Sequence, residues 1–179
     1  EHPSHDPVKA EKFAHVIPEV YEAADEIVGK TLERVDDNTT LFVMSDHGFA
    51  PFRRAVHLNS WLKYENYIGL KDESIQGELD YFRNVDWAET DAYAVGFNSL
   101  YLNKIGREEH GTVSQEDADA LLDEITEKLL ALRDPENGEK IVTRVYRATE
   151  VYSGDYLDQA PDLVIGFNKG YRASNESPV

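Results

Sequence analysis

The chain contains no cysteine. That excludes disulfides and thiolate ligands, so any metal site here uses oxygen and nitrogen donors. Basic residues are scarce: 18 Lys and Arg stand against 35 Asp and Glu, a formal net charge of −17. A surface this acidic repels nucleic-acid phosphates and anionic membranes, so neither a nucleic-acid polymer nor a membrane is expected as a partner. The excess acid fits either a salt-adapted surface or an ordinary acidic cytosolic protein. Long apolar runs are missing too. No stretch approaches a membrane span and no signal-peptide pattern opens the chain, which makes the cytoplasm the default compartment. Internal repeats and low-complexity linkers are also lacking.

What is present suffices for a core. With 41% hydrophobic residues over 179 positions, the sequence reads as a single domain, residues 1–179, or as part of a larger one. Its organising stretch is Thr40-Leu41-Phe42-Val43-Met44-Ser45-Asp46-His47-Gly48-Phe49. Leu41 to Ser45 suits a strand buried on both faces. Asp46 and His47 fall just past its carboxyl end, where open α/β sheets bind ligands. Gly48 lets the backbone turn sharply after them. A carboxylate oxygen paired with an imidazole nitrogen suits Zn²⁺ or Mn²⁺ better than Ca²⁺, which prefers oxygen alone. The plain alternative is a turn, with Asp46 capping the next element and His47 on the surface.

The wider string, Ser45-Asp46-His47-Gly48-Phe49 followed by Pro51-Phe52-Arg53-Arg54, resembles the alkaline phosphatase superfamily. The closest branch is the type I phosphodiesterase/nucleotide pyrophosphatase group. Supporting segments are His2-Pro3, Tyr21 to Gly29, Asp86-Trp87 and Ala160-Pro161-Asp162-Leu163-Val164-Ile165-Gly166. The resemblance implies an α/β fold, part of a three-layer sandwich with a mixed, largely parallel central sheet. It implies a hydrolase of small phosphate esters that uses two divalent metal ions, zinc or manganese, one of them ligated by Asp46 and His47. In such relatives the nucleophile and several ligands precede the region matching Glu1, and a further His follows the region matching Val179. No catalytic residue is therefore assigned here: Thr39, Thr40 and Ser45 only border the expected strand. The chain is expected to be a fragment that binds metal weakly and turns over little or nothing. The rival reading is a non-catalytic acidic α/β binding module in which Asp46-His47 is only a turn. Oligomeric state is not readable.

Taken in order, the rest of the chain gives local expectations. His2 and His5 share a His-x-x-His spacing that Pro3 keeps off a helix. Asp6 with Pro7 reads as an N-cap followed by proline at the first helical position. Pro7 to about Val35 carries helical periodicity that Pro18 should kink or split. Arg53 and Arg54 either steady a phosphoryl oxygen or supply surface counter-charge, and His57 stands alone. Asn59 to Tyr67 suits a short helix anchored by Trp61, Leu62 and Tyr64. Residues 70–90 look like a polar loop or insertion. Ala92 to Val95 and Ser99 to Leu102 read as two strands around a bend, with Asn98 a turn residue or a donor to substrate. Ser114 and Asp117 resemble a capping box before a helix reaching about Leu132. Asp134 to Gly138 reads as a turn, Ile141 to Tyr146 as a strand with Arg144 and Arg147 meeting nearby acids. Asp158 and Asp162 lack the spacing of a Ca²⁺ loop. Leu163 to Phe167 reads as the last buried strand, and Lys169 to Ser174 as an irregular tail.

Overall fold

Asp6 and Pro7 open the first helix. Proline's φ is preset for this position and its missing donor is not needed there. The Asp6 carboxylate accepts from the backbone N–H of Val8 and Lys9 at 3.0 and 3.1 Å. This computed structural model describes residues 2, 4–75 and 82–174. Pro3, quoted for the resemblance, and part of the polar stretch 70–90 lie outside the described residues. The chain forms two compact units, residues 1–53 and 54–179. Among the described residues no helix is long and apolar enough to cross a membrane.

In the first unit the helical stretch read across 7–35 is split into α1 (Pro7–Lys12) and α2 (Val16–Leu32). The break falls at Phe13 to His15 rather than at Pro18. Pro18 sits in the first turn of α2, where no intrahelical donor is lost. Neither helix contains a buried residue. The strand expected from Leu41 to Ser45 does not form. That segment is irregular, and Phe42, Val43 and Met44 are 81%, 76% and 89% exposed. A strand is held by the chain that accepts and donates its backbone hydrogen bonds, and no described strand pairs with this segment.

The second unit runs β1 (Arg54–Val56), α3 (Leu58–Tyr64), β2 (Gly69–Leu70), β3 (Val85–Asp86), β4 (Ala92–Val95), β5 (Ser99–Leu102), α4 (Ala118–Ala131), β6 (Val142–Arg147), α5 (Ala148–Val151), β7 (Leu163–Phe167) and β8 (Tyr171–Ala173). Its main sheet has the order β4-β5-β7-β6, and every neighbouring pair is antiparallel. The largely parallel sheet implied by the resemblance is thus not what these strands make. The connections explain it. The short bend after Val95, with Gly96 at a φ of +73°, returns the chain beside itself, which a parallel pair cannot do. Only β5 to β6 has a crossover, through α4, and β7 then inserts between those two strands. Among the described strands the one parallel pair is β1 with β8, so residues 171–173 are ladder and not irregular tail.

The core lies between this sheet and its helices. Ala118, Leu122, Ile125 and Leu129 recur at helical spacing and bury one face of α4. Opposite them the sheet offers alternate residues, among them Ala92, Ala94, Leu100, Leu102, Leu163 and Ile165. On α3, Leu58 and Leu62 are buried, while Tyr64 is 82% exposed and its expected anchoring role falls to Tyr67. Buried Asn59 bonds both ways to Ala94, donating to its carbonyl at 3.0 Å and accepting from its N–H at 2.7 Å. That exchange completes the outer edge of β4.

Candidate functional site

Asp46 and His47 occupy a bend in the first unit, between residues without regular structure. Both are solvent-exposed, with side chains 88% and 63% accessible. They face one another all the same: His47 Nε2 lies 3.6 Å from Asp46 Oδ2. Local hydrogen bonds explain why. The other carboxylate oxygen accepts the His47 backbone N–H at 3.1 Å, which turns the Asp46 side chain back along the chain. His47 Nδ1 lies 3.0 Å from the Gly48 carbonyl and donates to it, which in the neutral imidazole leaves the Nε2 lone pair free. Ser45 Oγ donates to the His47 carbonyl at 2.6 Å, and Phe49 stands edge-on to the imidazole, 5.3 Å between ring centres.

This donor set fits one edge of a metal site. Nitrogen and oxygen donors at tetrahedral zinc are separated by about 3.3–3.6 Å, given bond lengths of 2.0–2.2 Å. Metal-ligating imidazoles commonly give their other N–H to a carbonyl, as His47 does to Gly48. Two donors are a corner and not a cage, however. Among the described residues no group of three or more His, Asp or Glu side chains is placed to hold a metal ion.

The other sequence candidates have structural occupations. His2 spends both ring nitrogens, accepting from the Ser4 N–H at 3.1 Å and donating to the Phe52 carbonyl at 2.7 Å. It does not pair with His5 as a chelate. Arg54 bonds Asp134 at 2.8 Å and also meets Glu136. It thereby ties β1 to the turn at 134–138, and Tyr171 on β8 donates to the same Asp134 at 2.8 Å. His57 precedes α3, where its carbonyl accepts from the Trp61 N–H at 3.1 Å, while its Nδ1 is buried without a partner. Asn98 lies in the β4–β5 bend, its carbonyl accepting from the Ile165 N–H at 2.9 Å.

One charged centre escaped sequence reasoning. Asp162 is 6% exposed and receives Arg107 through two nitrogens, at 2.7 and 3.3 Å. It also receives Lys104 and, at 2.8 Å, the Leu102 N–H. Burial pushes its carboxyl up, but the bonds from Arg107, Lys104 and Leu102 outweigh burial and hold it below the usual carboxylate range. The cluster closes the end of β5 onto the start of β7. Its available signal was an acid beside the apolar run Leu163-Val164-Ile165, since a charge at the mouth of a buried strand requires a counter-charge.

No curated protein matches the chain, and no solved structure does. The family model of type I phosphodiesterase / nucleotide pyrophosphatase spans residues 2–177. That span takes in the Asp46-His47 bend, both units and the Ala160-Pro161-Asp162 segment. The chain therefore belongs to the type I phosphodiesterase / nucleotide pyrophosphatase family.

Proposed function

We propose that residues 1–179 form part of the catalytic domain of a metal-dependent phosphoric ester hydrolase acting on small phosphate esters. Family membership supports ester hydrolysis, and the 3.6 Å approach of His47 Nε2 to Asp46 Oδ2 carries the choice of site. Those two atoms would hold one of two divalent cations, zinc or manganese. When bound, such a cation supplies Lewis-acid stabilisation to the anionic oxygens of the ester.

The chain's own residues do the positioning. The His47 N–H fixes the Asp46 carboxylate, leaving Oδ2 outward. The Gly48 carbonyl fixes the imidazole tautomer and ring plane. Ser45 holds the His47–Gly48 peptide through the His47 carbonyl. Neither side chain is placed to act as nucleophile, and a catalytic zinc takes three protein ligands where this bend offers two. On this reading the three-layer sandwich belongs to the assembled domain, in which Leu41 to Ser45 gains strand partners that it lacks among the described residues. The 179-residue chain by itself binds metal weakly and turns over little.

A second reading keeps the same hydrogen bonds as a self-satisfied turn in a non-catalytic module. Cobalt(II) titration of the chain separates the two. On the hydrolase reading Co²⁺ gives weak, saturable visible absorption that Asp46→Ala and His47→Ala each abolish. Hydrolysis of bis-p-nitrophenyl phosphate with Zn²⁺ or Mn²⁺, by a form of the enzyme that is active, falls with the same substitutions. Wild-type absorption and rates in both variants would reduce the bend to a turn.

A further inference from the structure

A concavity lies within the second unit, far in sequence from Asp46. It encloses about 390 Å³ and is lined by Phe82, Trp87, Tyr93, Asn103, Glu109 and His110, with Glu108 at its wall. Its three aromatic rings are set across one another. Trp87 and Tyr93 stand at 88° with centres 5.2 Å apart, Phe82 and Tyr93 at 84° and 6.2 Å, and Phe82 and Trp87 at 50° and 5.5 Å. Phe82 is held at a φ of +59°, a left-handed conformation that a bulky side chain adopts only when its surroundings enforce it.

The charges around this cavity do not balance. Arg107 and Lys104 are both taken by Asp162, and Arg107 also donates to Glu108 at 2.7 Å. Glu108 further accepts the Lys104 backbone N–H at 2.8 Å and the Tyr93 hydroxyl at 3.2 Å. Glu109 is exposed and remains as surplus negative charge. Burial, followed by the neighbouring Glu108, pushes the Tyr93 phenol up to about 12, as expected in a partly desolvated, electronegative setting. The neighbouring ring already accepts a cation. Tyr101 stacks on Tyr93 at 13°, and the Arg107 guanidinium sits 5.6 Å from the Tyr101 centre.

Asn103 fixes the polar wall behind the rings. Its amide nitrogen is within 2.8–2.9 Å of the carbonyls of Trp87, Thr90 and His110, which fixes the orientation of the amide. Its Oδ1 is buried with no donor. A hydrocarbon occupant would leave the Glu109 charge uncompensated, an anion would meet Glu109 and the negative ring faces, and a protonated amine suits both rings and carboxylate.

We infer that the Phe82-Trp87-Tyr93 cavity is a binding site for a small organic ammonium ion, held against the aromatic rings, with Glu109 supplying charge. The assignment does not rest on the reading of Asp46 and His47. The test uses a Trp61→Phe chain, which leaves Trp87 as the sole indole, titrated with butylammonium chloride or 1-butanol at matched ionic strength. The expected result is a saturable change in Trp87 emission at least tenfold tighter for butylammonium than for the alcohol. Glu109→Gln and Tyr93→Leu should each weaken it severalfold. Amide and indole chemical shifts of the unsubstituted chain give the same comparison should Trp61→Phe perturb folding, with Trp87 Nε1–H and the Asn103 side-chain amide as reporters. Equal curves for amine and alcohol, no saturable change, or no loss in Glu109→Gln would overturn the assignment.

Discussion

At the scale of single residues, the two acids that matter differ in what surrounds them. Asp46 stands in water and is oriented by a neighbour's N–H, so its replacement should leave stability within about 0.5 kcal/mol of the original. Asp162 is buried among cations, and its removal strands Arg107 and Lys104, whose side chains are 21% and 23% exposed. Breaking a buried pair costs about 3–5 kcal/mol, and the partial exposure of both cations places Asp162→Ala near the lower figure. Urea denaturation of the two variants checks the contrast. The same residue sets an acid limit. Because its folded pKa lies below its unfolded value, its contribution is complete above about pH 4. It is lost as pH falls from there through the folded value. Stability measured from pH 6 to 2 should drop across that lower range, with a shallower drop in Asp162→Asn. Adjacency made the Asp46-His47 pair legible in the sequence. Asp162 was not legible as a hub, because Lys104 and Arg107 lie 58 and 55 positions away and meet it only through the pairing of β5 with β7.

Among the elements, α4 was readable from its stripe because one face packs on one sheet. Ile125 and Leu129 are fully buried in that stripe, and either change to Ala should cost about 2–5 kcal/mol in urea unfolding. Replacing Leu121, on the flank of the core, should cost less. The hairpin β4–β5 was readable for a similar reason: two alternating runs enclose a bend with its own chemistry. Residues 104–113 were readable as a charged loop, but the close backbone packing inside it was not. A Cβ on Gly111 would lie 2.2 Å from the Lys104 carbonyl oxygen, so Gly111→Ala must move backbone. About 1–3 kcal/mol is the expected loss, and weakened protection of the Thr112 and Val113 amides, both bonded to the Asn103 carbonyl, is the specific sign. Helices α1 and α2 carry good helical patterns without burying a residue. Their amides should exchange with solvent faster than those of α4, since protection follows buried contacts and not propensity. Comparable protection across α2 and α4 would show that α2 has a partner.

Over the whole molecule, the net charge of −17 is a self-repulsion spread across the surface. Raising NaCl from about 0.02 to 0.5 M, which shortens the screening length from about 20 to 4 Å, should raise the thermal midpoint. KCl should act alike if screening is the cause. Composition was enough for that prediction, as periodicity was for α4 and β4 to β7, since each depends on residues near one another in the chain. Ser45-Asp46-His47-Gly48-Phe49, with Pro51-Phe52-Arg53-Arg54 and the supporting segments, was enough for the family, because short strings of this kind are read without knowing the fold. Which strands are neighbours, and in which direction, was decided only in three dimensions. An apolar run such as Leu41 to Ser45 states a capacity to be buried but does not name the strand that will cover it. The antiparallel insertion of β7 between β5 and β6, and the pairing of Tyr171–Ala173 with Arg54–Val56, join residues whose own sequences carry no mark of one another. Hydrophobic pattern is a property of a segment, while a hydrogen-bonded ladder or a buried ion cluster belongs to partners that the chain brings together only once it has folded.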